Sequence, residues 1–294
     1  MSAGRGQGRL ALPFLAPAVV VLLAIGIVPL GYAFYNSFTR FNLARPNDPQ
    51  LFIWFDNYLT LLGDSSFHDA LLRTLLFLVM VLPFQLALGL GIALMLHRPG
   101  LRLLRTLTRL SLVIPMATTY VVVGLIGRLM FNTEFGVVND LIGALGIRPV
   151  EWLGDPVFAF IALGVMDVWQ WTPFCALVFV AGLTMVPYEI EEAARLETKR
   201  WWRILAHVQL PYLLPGLTAL LILRTADVLK MFDAIQTMTR GGPGTATELI
   251  SVYIQRHGFK ILDQGMASAQ AIVLLILTIV LARLYIRLVY REVA

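Results

Sequence analysis

The sequence predicts an all-α integral membrane protein with six transmembrane helices. Three observations carry that prediction. The apolar share is 58% and the charged share only 14%, against about 25% charged in a soluble domain. A soluble globule could not hide that much apolar surface, and a disordered chain needs the opposite composition. Six separate stretches are long enough to cross a bilayer, which takes about 20 apolar residues. Basic residues also gather in alternate connections between those stretches, as membrane topology requires.

The first stretch runs from about Leu10 to Tyr35 and follows Arg5 and Arg9. It is too long for the apolar part of a signal peptide, and no small-residue cleavage site follows closely. The second runs from about Ala70 to Leu96, the third from Leu110 to Phe131, and the fourth from Val157 to Val186. The fifth covers about Tyr212 to Met238 and the sixth about Met266 to Tyr290. None has the short alternating pattern of a barrel strand. Pro29, Pro83, Pro115, Pro173 and Pro215 fall inside spans. Each removes a backbone donor and can bend its helix, which neighbours in a membrane bundle can compensate.

Charge sets the expected orientation. Arg5, Arg9, Arg98, Arg102, Arg105, Arg109, Arg195, Lys199, Arg200, Arg203, Arg283, Arg287 and Arg291 fall on one side, 13 in all. Arg40, Arg45, Arg148, Arg240, Arg256 and Lys260 make 6 on the other. Lys and Arg favour the cytoplasmic side, which places both termini there. The expected organisation is a cytoplasmic N-terminus at 1–9, one transmembrane domain at 10–290 and a cytoplasmic C-terminus at 291–294. The net charge of +5 then has a topological origin and requires no nucleic acid. The single cysteine, Cys175, excludes an internal disulfide. No P-loop, His-Glu-x-x-His or Gly-x-Ser-x-Gly pattern occurs, so no catalytic residue and no metal ligand is expected.

The connection after the fourth span, 186–211, is more than a linker. Pro187 suits a helix start and acids crowd the first turn, with basic residues near the end. Ala193, Ala194, Leu196, Trp201 and Trp202 could supply an apolar side. Such a helix either rests on lipid or docks a cytoplasmic partner. Glu192-Ala-Ala, three residues, Thr198, nine residues and then Val208-Gln-Leu-Pro211 resembles the EAA loop of binding-protein-dependent ABC importer permeases. Only the residue at the family's glycine position departs, being Thr198. Glycine there allows a turn between two short helices, and threonine tolerates such a turn less well, so an altered loop geometry is expected.

The resemblance extends to Asp56-Asn-Tyr58, Trp152-Leu-Gly-Asp-Pro156, Val168-Trp-Gln-Trp-Thr-Pro-Phe174, Arg224-Thr225, Phe232-Asp233 and Gly241-Gly-Pro-Gly244. It is closest to the carbohydrate permeases of maltose and glycerol-3-phosphate type. It covers about 10–290, with a type I core at about 69–290. It implies a type I ABC importer permease fold with a cytoplasmic EAA coupling helix. The implied role is a pore-forming subunit that moves a sugar, oligosaccharide or polyol across a prokaryotic cytoplasmic membrane by alternating access. The chain itself would be no enzyme and bind no cofactor. ATP and Mg would sit in a partner ATPase dimer. A second permease subunit, giving a heterodimer, and a periplasmic or lipid-anchored sugar-binding protein complete the implied assembly. Glu192 would make a charge contact with the ATPase. Ala193 and Ala194 would allow close approach, and Arg195, Leu196, Thr198, Leu210 and Pro211 complete the coupling set. Gly241, Gly242 and Pro243 would contact the binding protein.

Two spans carry unexpected polarity. Arg224, Asp227, Lys230 and Asp233 recur every three residues in the fifth. On one continuous helix neighbours in this series could pair, and Asp233 would lie roughly 14 Å outward of Arg224. Charge inside a membrane is costly, so the series is either a substrate track or a self-neutralising packing ladder. The fourth span adds Asp167, Trp169, Gln170, Trp171 and Phe174, which suit either sugar stacking and hydroxyl binding or helix packing. In maltose-type permeases the matching stretches line the substrate site. That implication reaches Asp167, Trp171 and Phe174, and more weakly Arg224, Asp227, Val228 and Met231. The rival from another class is an ion-coupled secondary transporter that uses these charges for proton coupling. No internal repeat is visible to favour it.

Overall fold

A computed structural model describes residues 4–97 and 111–290, and the side chains of 15–97 and 111–288. The basic positions at 98–109 and Arg291 lie outside the described residues, as do the side chains of Arg5 and Arg9. The chain folds as two compact units, Met1–Asp64 with Ile254–Ile276, and Ser65–Tyr253 with Leu277–Ala294.

The first unit opens with α1 (Gly4–Ser37). None of its apolar window is buried, as expected of a helix whose solvent is hydrocarbon. A two-stranded antiparallel ribbon follows, β1 (Thr39–Arg40) on β2 (Leu51–Phe52), and then α2 (Asp56–Leu62). The Asp56-Asn-Tyr58 motif fastens this turn. Asn57 Nδ2 donates to the carbonyls of Ser37 at 2.9 Å and Thr39 at 3.0 Å, and the Tyr58 hydroxyl donates to Ser37 Oγ at 2.7 Å. The two Asn57 bonds satisfy carbonyls left open where α1 ends. Gly265 packs so closely here that a Cβ would stand 2.2 Å from the Thr39 carbonyl oxygen.

The second unit holds most spans. Its helices are α3 (Ser65–His97), α4 (Ser111–Ala117), α5 (Tyr120–Met130), α6 (Val137–Ala144), α7 (Pro156–Thr184), α8 (Tyr188–Glu197), α9 (Trp201–Ile204), α10 (Leu210–Leu229) and α11 (Asp233–Met238). The later helices are α12 (Ile250–Gln255) and α13 (Gln264–Tyr290), and α13 runs from the first unit into the second.

The core of the second unit forms where α3 meets α7. Phe77, Val81 and Leu82 pack with Ala162, Leu163 and Met166, joined by Val123, Val228 and Ile235. Small residues permit the approach, because membrane helices associate by close packing more than by apolar transfer. A Cβ on Gly89 would fall 2.6 Å from the Cβ of Cys175. Cys175 is buried in that seam as a packing residue. The Trp152–Pro156 motif starts α7. Asp155 caps it by accepting from the N–H groups of Val157 at 2.8 Å and Phe158 at 3.0 Å, with Pro156 in the first turn. The Trp152 indole donates to Asn139 of α6 at 2.9 Å.

Two spans differ from expectation. Among the described residues, five helices are long and apolar enough to cross a membrane, or six when the bent pair α4–α5 is one span. The third span is therefore broken, with its halves at 107°. Pro115 interrupts the donor ladder, and the Thr118 hydroxyl bonds back to the Ile114 carbonyl at 2.7 Å, a contact that bends helices. The fifth span is not continuous to Met238, since α10 stops at Leu229 and α11 begins only at Asp233. The stop leaves the Lys230 side chain 72% exposed between two buried neighbours, Leu229 and Met231.

Candidate functional site

The polar residues of the spans separate into an inner and an outer set. The inner set is a closed ring drawn from three helices. Arg224 of α10 donates through Nη2 to both carboxylate oxygens of Asp167 on α7, at 2.8 and 3.1 Å. Gln85 of α3 donates to Asp167 Oδ2 at 2.7 Å and accepts from Arg224 Nε at 3.0 Å. Arg224 and Gln85 are fully buried and Asp167 nearly so. A buried charge pair needs hydrogen bonds beyond its own to offset desolvation, and the Gln85 amide bonds both members, Asp167 Oδ2 and Arg224 Nε.

The outer set continues from this ring. The Arg224 guanidinium lies over the Trp171 ring at 4.1 Å. Its Nη1 makes no hydrogen bond among the described residues and sits 3.7 Å from Asp227. Asp227 is half-buried and pairs with the exposed Lys230 at 2.9 Å. Tyr120, at the first position of α5 after the break, packs its ring 6.1 Å from Trp171, and Phe174 meets Trp171 edge-on at 5.8 Å. Aromatic faces, a carboxylate and an ammonium thus gather at the N-terminal end of α5 and the C-terminal end of α10.

The expected polar sets of the fourth and fifth spans are corrected in three places. Arg224 pairs across helices with Asp167 rather than only along its own helix. Asp233 is exposed on a separate helix and has no place in a straight track. Trp169 falls away from the cluster, on a stripe of α7 with the exposed Ile161 and Val165; the four-residue spacing forces these onto one face. Gln170 has a structural partner, donating to the Thr118 carbonyl at 2.9 Å, where the broken span leaves that acceptor open. Val228 and Met231 lie in the apolar core.

The loop between α7 and α10 is the second locus. α8 carries the Glu192-Ala-Ala segment, and its Glu192, Ala193, Arg195 and Leu196 are exposed, with Ala194 half-buried. Trp201 and Trp202, expected on its apolar side, are exposed too. The helix ends at Thr198, whose φ of −144° and ψ of 135° are extended backbone. A β-branched residue suits that conformation, so threonine replaces glycine here without a left-handed turn. Its hydroxyl accepts from the Arg200 N–H at 3.2 Å. After α9 comes a π-turn, Leu205–Gln209, just ahead of Leu210 and of Pro211, which has no N–H to extend an α-ladder.

Sequence reasoning missed the residue that holds this loop. Glu191 is buried. It accepts from Arg195 at 2.7 Å and from Gln209 Nε2 at 3.2 Å, and it pairs with His97 Nε2 at 3.1 Å. Burial pushes its carboxyl upward, but the bonds and charges of His97 and Arg195 outweigh that and hold it below the ordinary carboxylate range. A lowered value means that the contact is present at neutral pH and fails only as pH drops below that range. The only available signal was a carboxylate beside the motif, which looks like a plain i, i+4 partner of Arg195. Gln85 did carry a signal, being an amide two residues after Pro83 in an apolar span.

The Gly241–Glu248 turn is tied internally. Thr247 Oγ1 donates to the Gly242 carbonyl at 2.8 Å, and the Thr247 N–H donates to the Gly241 carbonyl at 3.1 Å. Gly241 is buried and Gly242 and Pro243 are half-buried, while the exposed tip is Gly244 and Thr245.

Comparison with known proteins bears on both loci. Residues 59–293 match the family described as binding-protein-dependent transport system inner membrane component. The sulfoquinovosyl glycerol transport system permease protein of Agrobacterium fabrum is 35% identical over 284 residues, 97% of this chain and 91% of that protein. The trehalose/maltose transport system permease protein of Thermococcus litoralis is 33% identical over 282 residues, 96% of this chain and 94% of that one. In fold, the chain is similar to a subunit of a bacterial ABC transporter involved in import of the acidic polysaccharide alginate. That match has a TM-score of 0.82 at 21% identity, covering 97% of this chain and 96% of that one.

Proposed function

The chain belongs to the family of binding-protein-dependent transport system inner membrane components, and from that premise we propose that it is the pore-forming permease subunit of an ATP-driven carbohydrate importer. The observation that carries the reading is the EAA-spaced helix α8. It stands exposed between two membrane-spanning helices in a chain whose relatives include trehalose/maltose and trehalose transport permeases by name. On this reading both termini lie in the cytoplasm, in keeping with the basic residues of the α8–α9 loop. A separate ATPase dimer docks on α8 and binds ATP and Mg, and this chain performs no catalysis. A second permease subunit completes the pore, and a sugar-binding protein delivers substrate near Gly241, Gly242 and Pro243. A similar alginate transporter has been solved in complex with its alginate pentasaccharide-bound periplasmic protein, which supports a binding-protein partner. The ion-coupled alternative finds no support among these relatives.

Within the pore, Trp171, Tyr120 and Phe174 offer aromatic faces to a sugar ring, while Asp227 and Lys230 offer partners to its hydroxyls. Reconstitution with its ATPase, second permease and binding protein should give sugar uptake that requires ATP and persists when the proton gradient is collapsed. Uptake that follows the gradient instead would refute the reading. In the same assay Asp227→Asn should lower uptake about tenfold, the scale of one charge-assisted hydrogen bond, and leave ATPase co-purification unchanged. Unaltered uptake kinetics would assign Asp227 to the scaffold.

A further inference from the structure

The junction at Glu191 has a geometry that docking alone does not require. α8 carries adjacent carboxylates with opposite environments. Glu192 faces outward, while Glu191 is 7% exposed and held by three elements. His97 is the last residue of α3, Arg195 is one turn along α8, and Gln209 closes the π-turn ahead of α10. An exposed i, i+4 ion pair is among the weakest contacts a helix makes. A buried carboxylate with three partners is of a different kind, because freeing it strands a charge.

The partner helix α3 reaches the other locus as well. From His97 back to Gln85 is twelve residues of one helix, about 18 Å at 1.5 Å per residue. Gln85 is the amide that bonds both Asp167 and Arg224. One helix therefore ends on the loop and is bonded, mid-span, to the buried ring.

We propose that Glu191 is a positioning residue for coupling, acting through His97. Their contact makes α8 and α3 move as one body, so a displacement of α8 reaches the ring at Gln85. Arg195 and Gln209 fix the carboxylate's direction, and Glu192 is left free to meet the partner. The inference rests on reading the chain as an ATP-coupled permease.

The test uses the complete transporter in proteoliposomes, with Glu191→Gln and His97→Gln made singly and together. Each single change should lower substrate moved per ATP hydrolysed about fivefold, the scale of one net intramolecular hydrogen bond. The double variant should be no worse than the weaker single, since both act through one contact. An unchanged ratio in Glu191→Gln, or losses that multiply in the double, would overturn the proposal. A second measurement needs no substrate. A spin label at Glu189→Cys on α8, in a Cys175→Ala background, should gain mobility equally in the two single variants, and unchanged mobility would also overturn it. A wild-type complex that moves no sugar would refute the carbohydrate reading and leave the label result standing.

Discussion

Arg224→Met should remove most of the protein from the folded membrane fraction, and adding Asp167→Leu should bring it back. The argument is one of magnitudes. A single hydrogen bond between membrane helices contributes on average only about 0.6 kcal/mol, so losing the Arg224 bonds one by one would be minor. Losing the cation is different. It leaves the Asp167 carboxylate nearly fully buried with one amide donor, Gln85, and no second ion-pair partner among the described residues. Stranding one member of a buried pair costs about 3–5 kcal/mol, against a total stability of about 5–15 kcal/mol. Replacing both members with apolar groups of similar volume is often neutral. The measurement is the monodisperse fraction after detergent extraction, for wild type, single and double variants. If Arg224→Met alone extracts like wild type, the ring is no structural element. Uptake by the restored double variant then separates scaffold from ligand contact. Activity near wild type places Arg224 and Asp167 in the frame and leaves Trp171, Tyr120 and Asp227 to meet the substrate.

That ring also marks how far the sequence could be read. Apolar length and the side-to-side bias of Lys and Arg fix the number of spans, because both follow from the bilayer as solvent. The polar residues inside spans stand out for the same reason, and Arg224, Asp227 and Asp167 were all legible as special. Their partners were not. The three-residue spacing pointed to pairing along one helix, yet Arg224 bonds Asp167, 57 positions away, and Gln85, 139 positions away. Such contacts depend on which helices adjoin, a tertiary fact that local periodicity does not encode. The end of α10 at Leu229 was hidden similarly, since no proline or glycine stands between Leu229 and Asp233 to announce it. At the loop the motif singled out Glu192 by family spacing, whereas Glu191 is set apart only by what packs against it.

The two glutamates lead to the final expected result. Glu192→Ala should cut co-purification of the ATPase and abolish ATP-dependent uptake while the permease itself stays folded. The fold is indifferent to this side chain, because Glu192 is exposed and makes no hydrogen bond or ion pair among the described residues. In the proposed assembly it is one partner of an interfacial charge contact. Truncating such a partner costs about 2–5 kcal/mol, or at least about 30-fold in affinity. Glu189→Ala is the matched control, removing the same charge from the same exposed helix one turn earlier. If the two variants lose affinity equally, and high salt abolishes the loss in both, α8 attracts its partner by net charge alone. A loss confined to Glu192→Ala and retained at high salt identifies a desolvated contact. Glu191→Gln should differ from both, since the outward face survives and the docked ATPase pulls on a helix no longer joined to α3. Full co-purification and normal uptake by Glu192→Ala would exclude the docking role and leave α8 as a helix lying on the membrane surface.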